Sequence, residues 1–305
     1  MKTEAPLYAG VELGGTKCVV LLATGPNGIV GHVQIPTSDA PDHTLRAIER
    51  ALDQLQREHG RAQSLGIASF GPLCLEADSE KYGFITSTAK PGWRDTDVAA
   101  RLGRSTGLPF RCETDVTGAA LAEGLWGAAK GLKDFAYVTV GTGVGVGIIQ
   151  NGAPLAGFIH PEFGHSLVRR VPGDSWAGSC PFHGDCVEGL ASGSALQARY
   201  GRPASELAVD SPLWDLAASA LAAMLHNLIL ACGPRKILMG GGVMMAQPQL
   251  FDLVRKHLQL SLNGYVEDRA FASGFRDFIT APQLGALAGP LGAIAVAQRV
   301  TTLWS

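Results

Sequence analysis

Short apolar runs alternate with amphipathic segments along the chain, which is a pattern typical of α/β folds. The apolar runs predict strands at Tyr8–Leu13 and at residues 18–23, 64–70, 136–149 (two strands around a turn) and 236–239. Apolar residues at helical spacing predict helices at residues 44–58, 96–104, 116–128, 211–232, 248–260 and 290–299. In the first helix, the apolar face that we expect to be buried consists of Leu45, Ile48, Leu52 and Leu55.

Two strand–turn–strand segments resemble each other. The first turn contains Gly14, Gly15, Thr16 and Lys17. The later turn contains Gly141, Thr142 and Gly143. Because both turns place a Gly-Thr pair between apolar strands, they indicate a duplicated lobe. We therefore predict an α/β protein of two lobes that meet near Asp115, with an N-terminal lobe at residues 1–115 and a C-terminal lobe at residues 116–289.

Length, charge and hydropathy exclude several classes of protein. A chain of 305 residues suits two domains, and 46% hydrophobic residues permit large cores. The net charge is −2 and Lys and Arg form no cluster, so we expect no nucleic-acid partner. The most apolar stretch, residues 216–232, contains Ser219, His226 and Asn227 and falls short of a membrane span. Residues 1–6 lack the apolar core of a signal peptide.

The cysteines indicate a reducing compartment. Two of the six fall in a motif with metal-ligand spacing, described next. The others lie mostly in apolar contexts, where reduced buried thiols are usual; they are Cys18, Cys74, Cys112 and Cys232. We therefore predict a cytoplasmic protein with no membrane partner.

The strongest chemical signal is a cluster of metal-ligating residue types in a segment at residues 160–188. The sequence C-P-F-H-G-D-C at residues 180–186 supplies three ligands within one short loop, and an earlier histidine supplies a fourth. Two Cys and two His residues make a closed tetrahedral zinc site with no position for a reactive water, so we predict a structural role. The predicted ligands are His165, Cys180, His183 and Cys186.

Two carboxylates flank these ligands. Glu162 precedes His165, and Glu188 follows Cys186. A zinc ion at this place would fix the direction of both carboxylates. The alternative interpretation of the cluster is two free cysteines and two ordinary histidines.

Three glycine-rich turns are candidates for binding phosphate, because glycine lets backbone N–H groups approach an anion closely. They are the turn from Gly14 to Lys17, the turn from Gly141 to Gly143, and a third turn formed by Gly240, Gly241, Gly242 and Val243. The third follows a predicted strand and precedes a predicted helix, where nucleotides bind in α/β folds. The alternatives are an ordinary hairpin turn, a glycine-rich sheet beneath a helix, and a simple strand-to-helix turn. No Walker A sequence is present.

Asp115 ends a predicted strand and begins a predicted helix. One interpretation is a helix cap, which is a common role for Asp at such a place. The other is a general base, because a hydroxyl that accepts a phosphoryl group needs a carboxylate within hydrogen-bond reach. The local sequence does not choose between them.

Several motifs together resemble the ROK family (repressors, open reading frames and kinases) over nearly the whole chain. They are E-L-G-G-T-K at residues 12–17, E-T-D-V-T-G-A-A-L-A-E at 113–123, G-T-G-V-G-V-G at 141–147, H-P-E-F-G-H at 160–165 and C-P-F-H-G-D-C-V-E-G-L-A-S-G at 180–193. The metal motif, Glu12 and S-T-A-K-P-G-W at residues 87–93 resemble the fructokinase branch. Family glucokinases more often have Asp at the position of Glu12 and C-x-C-G-x-x-G-C at the zinc.

The resemblance implies a two-lobed actin-like, ribonuclease H-like fold with the active site in the cleft and a C-terminal helix, about residues 290–305, that packs back on the first lobe. It implies ATP with Mg²⁺ as phosphoryl donor, a sugar as acceptor, a structural Zn²⁺ and a homodimer. Asp115 falls on the catalytic base. The implied sugar-binding positions are Gly71, Thr114, Asp115, Glu162, His165 and Glu188. The implied nucleotide-contacting positions are those of the three glycine-rich turns.

Three departures bear on the choice of sugar. Many family sugar kinases have Asn at the positions of Thr114 and Ala89, where it helps to hold a pyranose. The two substitutions argue against a standard glucokinase. Glu12 is one carbon longer than the usual Asp, which leaves its part near magnesium open. These departures leave the contacts with fructose partly unassigned. From the resemblance to the fructokinase branch, we predict phosphorylation of D-fructose to fructose 6-phosphate.

Three alternatives remain. The first is a kinase for glucose, mannose or N-acetylmannosamine, and the second is a catalytically inactive sugar sensor. The third is a transcription regulator, which in this family carries an additional N-terminal helix-turn-helix domain. We expect no such domain, because the first glycine-rich turn begins at Gly14.

Overall fold

The computed structural model describes residues 5–267 and 271–300. The chain divides into two compact units: unit 1 contains residues 5–131, Pro154–His160 and 284–300, and unit 2 contains Leu132–Ala153 and the described part of Pro161–Gln283. The predicted extension of the last helix to residue 305 and residues 1–4 of the N-terminus lie outside the described residues.

Unit 1 is built on a five-stranded mixed sheet. The strands, in chain order, are β1 (Tyr8–Leu13), β2 (Lys17–Ala23), β3 (Ile29–Pro36), β4 (Leu65–Ser69) and β7 (Phe110–Thr114), in the spatial order β3-β2-β1-β4-β7. The first three pair antiparallel, and β4 lies parallel to β1 and to β7. Two further strands, β5 (Phe84–Ile85) and β6 (Thr96–Asp97), form a separate antiparallel pair.

The helices of unit 1 cover this sheet. They are α1 (Pro41–His59), α2 (Ala99–Thr106), α3 (Asp115–Trp126) and α9 (Ala288–Gln298). The predicted apolar face of α1 is buried, which confirms that helix. The helix predicted at residues 96–104 begins later, at Ala99, because Thr96 and Asp97 pair with β5 instead.

Helix α9 is the central helix of unit 1. It packs on α3, β1 and β4. Small residues permit a close approach of these elements. A Cβ at Gly292 would lie only 2.4 Å from the carbonyl carbon of Gly118, and a Cβ at Gly66 would overlap the carbonyl oxygen of Ala293. Because α3 packs on α9, the division of the chain falls after Gly131, whereas the sequence had placed a boundary near Asp115.

Unit 2 repeats the arrangement of a hairpin beside parallel strands. Its sheet has the order β10-β9-β8-β11-β12, formed by β8 (Phe135–Val140), β9 (Val144–Gln150), β10 (Ala153–Pro154), β11 (Ile237–Gly240) and β12 (Ile279–Thr280). Strands β8 and β9 pair antiparallel as β1 and β2 do, and β11 lies parallel to β8 as β4 lies parallel to β1. The duplication predicted from the two Gly-Thr turns is therefore confirmed.

The helices of unit 2 are α4 (Val187–Ala191), α5 (Gly193–Tyr200), α6 (Pro212–Cys232), α7 (Gly242–Ala246) and α8 (Gln249–Leu262). Ser211 caps α6 as predicted, by accepting a hydrogen bond from the N–H of Leu213. With 21 residues and a mean hydropathy of 1.5, α6 is long and apolar enough to cross a membrane, so the prediction that this stretch is too short was wrong. Half of that apolar window is buried, however, and α6 packs on α8 and α4, which accounts for its composition.

Candidate functional site

The first glycine-rich turn, between β1 and β2, is fixed by hydrogen bonds from Thr37 to its backbone carbonyls. The hydroxyl of Thr37 donates to the carbonyl of Gly14 at 2.7 Å, and its N–H donates to the carbonyl of Thr16 at 3.0 Å. Gly14 itself has no room for a side chain, because a Cβ would lie 2.8 Å from the carbonyl oxygen of Lys17. Gly15, Thr16 and Lys17 are exposed at the tip. No local pattern indicates Thr37, because its contact with the turn joins distant parts of the chain.

Asp115 is the first residue of α3. The cap position belongs to Thr114, whose hydroxyl accepts from the N–H of Thr117 at 3.2 Å and donates to the hydroxyl of Thr117 at 2.7 Å. The interpretation of Asp115 as the helix cap was therefore wrong. Asp115 is half-buried, and its Oδ1 accepts from the N–H of Val116 at 2.8 Å. Burial raises the pKa of its carboxyl, opposed by that hydrogen bond.

A second carboxylate, Glu12, lies near Asp115 at the end of β1. Burial raises the pKa of Glu12 to about 7, with a further contribution from the charge of Asp115 and an opposing one from Lys17. The first turn of α9 lies against this carboxylate, since a Cβ at Gly289 would overlap Glu12 Oε1. The N-terminus of a helix favours negative charge, so α9 offsets part of the cost of burying Glu12. Two acidic groups of raised pKa thus lie near each other, Glu12 beside the first turn of α9 and Asp115 in the first turn of α3.

The loop after β4 carries Gly71, and His160 holds this loop in place. The buried imidazole of His160 accepts from the N–H of Leu73 through Nε2 at 2.9 Å. A Cβ at Gly71 would lie 3.4 Å from the same ring. His160 is therefore a structural support of the predicted sugar-binding position Gly71. His160 belongs to the motif H-P-E-F-G-H, but no local pattern indicates its contact with Leu73.

The segment at residues 87–93, which resembles fructokinases, is anchored at its end. Trp93 is fully buried, and its indole N–H donates to the carbonyl of Ser38 at 2.8 Å. Lys90 pairs with Asp39 at 3.0 Å. Ala89, where many family members have Asn, is exposed directly before Lys90.

In unit 2, the glycine-rich turn between β8 and β9 is held on one side by the start of α5. The N–H of Gly193 donates to the carbonyl of Gly141 at 2.7 Å, and the hydroxyl of Ser194 donates to the carbonyl of Thr142 at 2.8 Å. A Cβ at Gly193 would lie 2.9 Å from the carbonyl oxygen of Gly141, so this approach requires glycine.

The third glycine-rich turn lies beside the second. A Cβ at Gly141 would be 3.7 Å from the backbone nitrogen of Gly242, and one at Gly193 would be 3.2 Å from Val243. Gly241 has φ +90°, and a Cβ there would lie 2.5 Å from the carbonyl oxygen of Val140. The structure thus brings together the predicted nucleotide-contacting residues of unit 2. Those of the first turn belong to unit 1.

The four predicted zinc ligands converge. Their ligand atoms all lie within 4.8 Å of one another. His165 Nδ1 is 3.6 Å from the sulfur of Cys180 and 3.6 Å from that of Cys186, and His183 Nδ1 is 3.7 Å from the sulfur of Cys180. A tetrahedral ion with Zn–S about 2.3 Å and Zn–N about 2.0 Å implies N···S distances of about 3.5 Å. The side chains therefore fit a tetrahedral Zn²⁺, and both histidines present Nδ1 to it.

Local backbone structure shapes this metal-binding loop. Cys180 and Gly184 exchange backbone hydrogen bonds at 3.1 and 2.9 Å, and Gly184 takes the left-handed φ of +62° that closes the turn. Cys186 directly precedes α4. A Cβ at Gly189 would overlap the carbonyl oxygen of Gly184, so the loop lies directly on the helix. Two of the ligands are thereby fixed by hydrogen bonds and packing of the chain itself.

The two flanking carboxylates were predicted to act near the metal. Glu188 lies in the first turn of α4; its Oε2 accepts from the N–H of Val144 at 3.0 Å, and its Oε1 is 3.8 Å from His165 Nε2. Glu162 precedes the short helical turn at residues 163–165, in which its carbonyl accepts from the N–H of His165 at 2.9 Å. Glu188 thus faces His165 with its carboxylate, whereas Glu162 contacts His165 with its backbone carbonyl.

A network of ion pairs around the metal-binding loop was not predicted. Asp174 accepts from Arg199 at 2.7 Å and from Arg170 at 3.1 Å, and Arg170 also pairs with Asp185 at 2.8 Å, next to Cys186. The hydrogen bond from Arg199 is the largest of the effects that lower the pKa of Asp174 to about 2. The network fixes the chain between His165 and Cys180. Its partners are dispersed along the sequence, so no local pattern reveals it.

Comparison with known proteins agrees with these observations. A model of the ROK family matches residues 8–300. A fructokinase from Zymomonas mobilis is 40% identical over 301 residues, covering 97% of this chain and 98% of that protein. A fructokinase from Pediococcus pentosaceus is 37% identical over 292 residues, covering 96% of this chain and 98% of that protein.

Solved structures show the same fold. A ROK family glucokinase from Streptomyces griseus, in complex with glucose and AMPPNP, superposes with a TM-score of 0.75 at 25% identity and covers 96% of this chain and 99% of its own. The predicted fold class, the actin-like α/β kinase fold, is therefore confirmed. Since the family model spans nearly all of the sequence and the fold is shared, the chain belongs to the ROK family.

Proposed function

We propose that the protein is a fructokinase that transfers the γ-phosphoryl group of ATP to the 6-hydroxyl of D-fructose. The observation that carries this proposal is the half-buried carboxylate of Asp115, which Thr114 frees from helix capping and whose pKa is raised by burial. A carboxylate with a raised pKa is a better proton acceptor. The fructokinase relatives, at 37–40% identity over nearly their whole length, support fructose as the acceptor.

Asp115 is the proposed general base. Its Oδ1 is occupied by the N–H of Val116, so Oδ2 is the oxygen proposed to take the proton of the sugar hydroxyl. A positioned base contributes about 10²- to 10⁴-fold to the rate of such a transfer. Thr114 contributes by fixing the first turn of α3, on which Asp115 lies. This gives Thr114 a supporting role beside its predicted contact with the sugar.

The sugar-holding residues are proposed to be Gly71, Glu162, His165 and Glu188. Since His165 presents Nδ1 to the two thiols, Nε2 is the nitrogen left to face a sugar hydroxyl. Glu188 likewise has Oε1 available while Oε2 binds the chain. The zinc ion, when bound, is proposed to act as a structural brace. The chain's own contribution is the packing of the metal-binding loop on α4, which carries Glu188, and the backbone hydrogen bond that joins Glu162 to His165.

The three glycine-rich turns are proposed to hold the phosphates of ATP through backbone N–H groups, which requires no side chain at the contact. Mg²⁺, bound mainly by phosphate and water, would neutralise charge on the transferred group. We propose that Glu12, whose carboxyl is affected by the charge of Asp115, orients a magnesium-bound water. We further propose a cytoplasmic homodimer with no membrane or nucleic-acid partner.

The proposal is tested by incubating the protein with ATP, Mg²⁺ and fructose and identifying the product by ³¹P NMR. We expect ADP and fructose 6-phosphate in equal amounts. Fructose 1-phosphate would contradict the assignment of the 6-hydroxyl. ATP that stays intact, with sugar binding detected by calorimetry, would favour the inactive sensor.

A further inference from the structure

One carboxylate, that of Glu188, connects the metal-binding loop to the glycine-rich turn at residues 141–143, all within unit 2. Glu188 Oε2 accepts from the N–H of Val144, the residue that directly follows the turn, at 3.0 Å. Glu188 Oε1 lies 3.8 Å from Nε2 of His165, whose Nδ1 faces the two thiols. The carboxylate therefore faces a metal ligand with one oxygen and holds the turn with the other.

The turn is shaped around this carboxylate. A Cβ at Gly143 would lie 2.5 Å from Glu188 Oε2, which is too close for a real side chain. The φ of Gly143 is not in the left-handed region, so the position requires glycine for space and not for backbone conformation. The hydrogen bond between Glu188 and Val144 therefore requires that residue 143 has no side chain.

Glu188 is itself held in place by the metal-binding loop. It lies in the first turn of α4, which begins directly after Cys186. The carbonyl of Gly189, the next residue, accepts from the N–H of Ser179 at 3.0 Å. The start of α5 donates hydrogen bonds to the carbonyls of Gly141 and Thr142. Glu188 accepts from the N–H of Val144, on the other side of the turn.

We propose that Glu188 is a positioning residue for the nucleotide: it fixes the Gly141–Thr142–Gly143 turn so that its N–H groups are directed at the phosphates before ATP binds. This role is additional to the contact with sugar proposed above, and it rests on the proposed function only in that this turn binds phosphate. A preorganised site loses less entropy on binding, so release of Val144 lowers the affinity for nucleotide. The metal-binding loop then supports the nucleotide as well as the sugar.

The test measures the affinity for AMPPNP and Mg²⁺ by calorimetry without any sugar, on metal-loaded full-length protein. Loss of one hydrogen bond is expected to weaken binding by about three- to tenfold in Glu188→Ala. Glu188→Gln keeps an oxygen acceptor for Val144 and is expected to stay within about twofold of the parent protein. Glu206→Ala removes an exposed carboxylate from the same unit and serves as the matched control.

A double-mutant cycle separates this role from general loss of structure. Gly143→Ala is expected to weaken AMPPNP binding, because its methyl group displaces the Glu188 carboxylate. In the Glu188→Ala background the methyl group has room, so the second substitution is expected to cost less than it does alone. Should Glu188→Ala lose its metal, Gly143→Ala still carries the test, because it leaves the metal-binding loop intact.

Equal AMPPNP affinity in the parent protein, Glu188→Ala and Gly143→Ala overturns the proposal, whatever happens to sugar binding. Failure of the parent protein to bind AMPPNP at all overturns it as well. The proposed function is tested separately. If the nucleotide affinities follow the expected pattern but the protein phosphorylates no hexose, the proposed activity is contradicted and the role of Glu188 is supported.

Discussion

At the scale of residues, Thr114 and Asp115 have separate roles in the proposed chemistry. Thr114 caps α3 with its hydroxyl, and Asp115 does not cap the helix but accepts with Oδ1 from the N–H of Val116. Aspartate at a helix start usually serves as the cap. Here the cap is a separate side chain, so a change at Asp115 is expected to affect catalysis far more than folding.

Asp115→Asn is therefore expected to lower kcat by at least about 10²-fold while the melting temperature changes little. The amide keeps an oxygen that accepts from the N–H of Val116 but cannot take the proton of the sugar hydroxyl. Kinetics with ATP and fructose, together with thermal unfolding, measure both effects. Asp78→Asn, at an exposed position of the same unit, is the control. Normal turnover by a folded Asp115→Asn protein would refute the assignment of the base.

Glu12 predicts a dependence of stability on pH. Its pKa is raised from 4.5 to about 7 in the folded protein, mainly by burial and then by Asp115. The folded state thus binds this proton more tightly than the unfolded state. Stability from this group is present at low pH and falls as pH rises from about 4.5 to about 7.

Glu12→Gln removes this titration. We expect the variant to be more stable than the parent protein at pH 8, by up to about 3 kcal/mol, and nearly equal at pH 5. Urea unfolding of both proteins at the two pH values measures the difference. A stability difference that is the same at both pH values would show that Glu12 does not carry the shift.

Single residues also show which features of the site can be predicted from the sequence and which cannot. The spacing of Cys180, His183 and Cys186 was local, so the metal site was predictable, and all four ligands converge. The supports of the functional turns were not predictable, because Thr37 and His160 reach them across long separations in the chain. The choice between cap and base at Asp115 depended on the side chain of Thr114, which local propensity does not decide.

At the scale of elements, strong periodicity gave reliable predictions and mixed patterns did not. The helix α1 and the hairpin strands β1 and β2 were found because each has a continuous apolar face or run. Strand β3 was missed because its exposed and half-buried positions alternate over most of its length and it forms one edge of the sheet. The start of α2 was misplaced because tertiary pairing with β5 overrides the helical pattern.

The metal-binding loop is the element that is proposed to hold the chain segments of both flanking carboxylates. Cys180→Ser is expected to reduce the zinc content, lower the melting temperature and raise the KM for sugar together, because metal binding is coupled to folding. Zinc analysis, thermal unfolding and kinetics on one preparation measure the three effects. Cys232→Ser, a half-buried thiol elsewhere in unit 2, is the control. A metal-free variant with the kinetics of the parent protein would contradict this role.

At the scale of the whole molecule, each unit holds one part of the proposed machinery on the same type of hairpin and parallel strands. Unit 1 carries Asp115, Glu12 and the first glycine-rich turn, and unit 2 carries the other two turns and the metal-binding loop. Membership of the ROK family follows from the match over residues 8–300. The sugar is the more specific claim, because fructokinases, glucokinases and a hexokinase are all among the related proteins.

Phosphorylation of fructose is tested by measuring kcat/KM for fructose, glucose, mannose and N-acetylmannosamine at saturating ATP and Mg²⁺, with zinc content determined on the same sample. The substitutions at Thr114 and Ala89 and the fructokinase relatives predict the highest value for fructose. A higher value for another of the four sugars, or no ADP formed with any of them by zinc-loaded protein, would contradict the account.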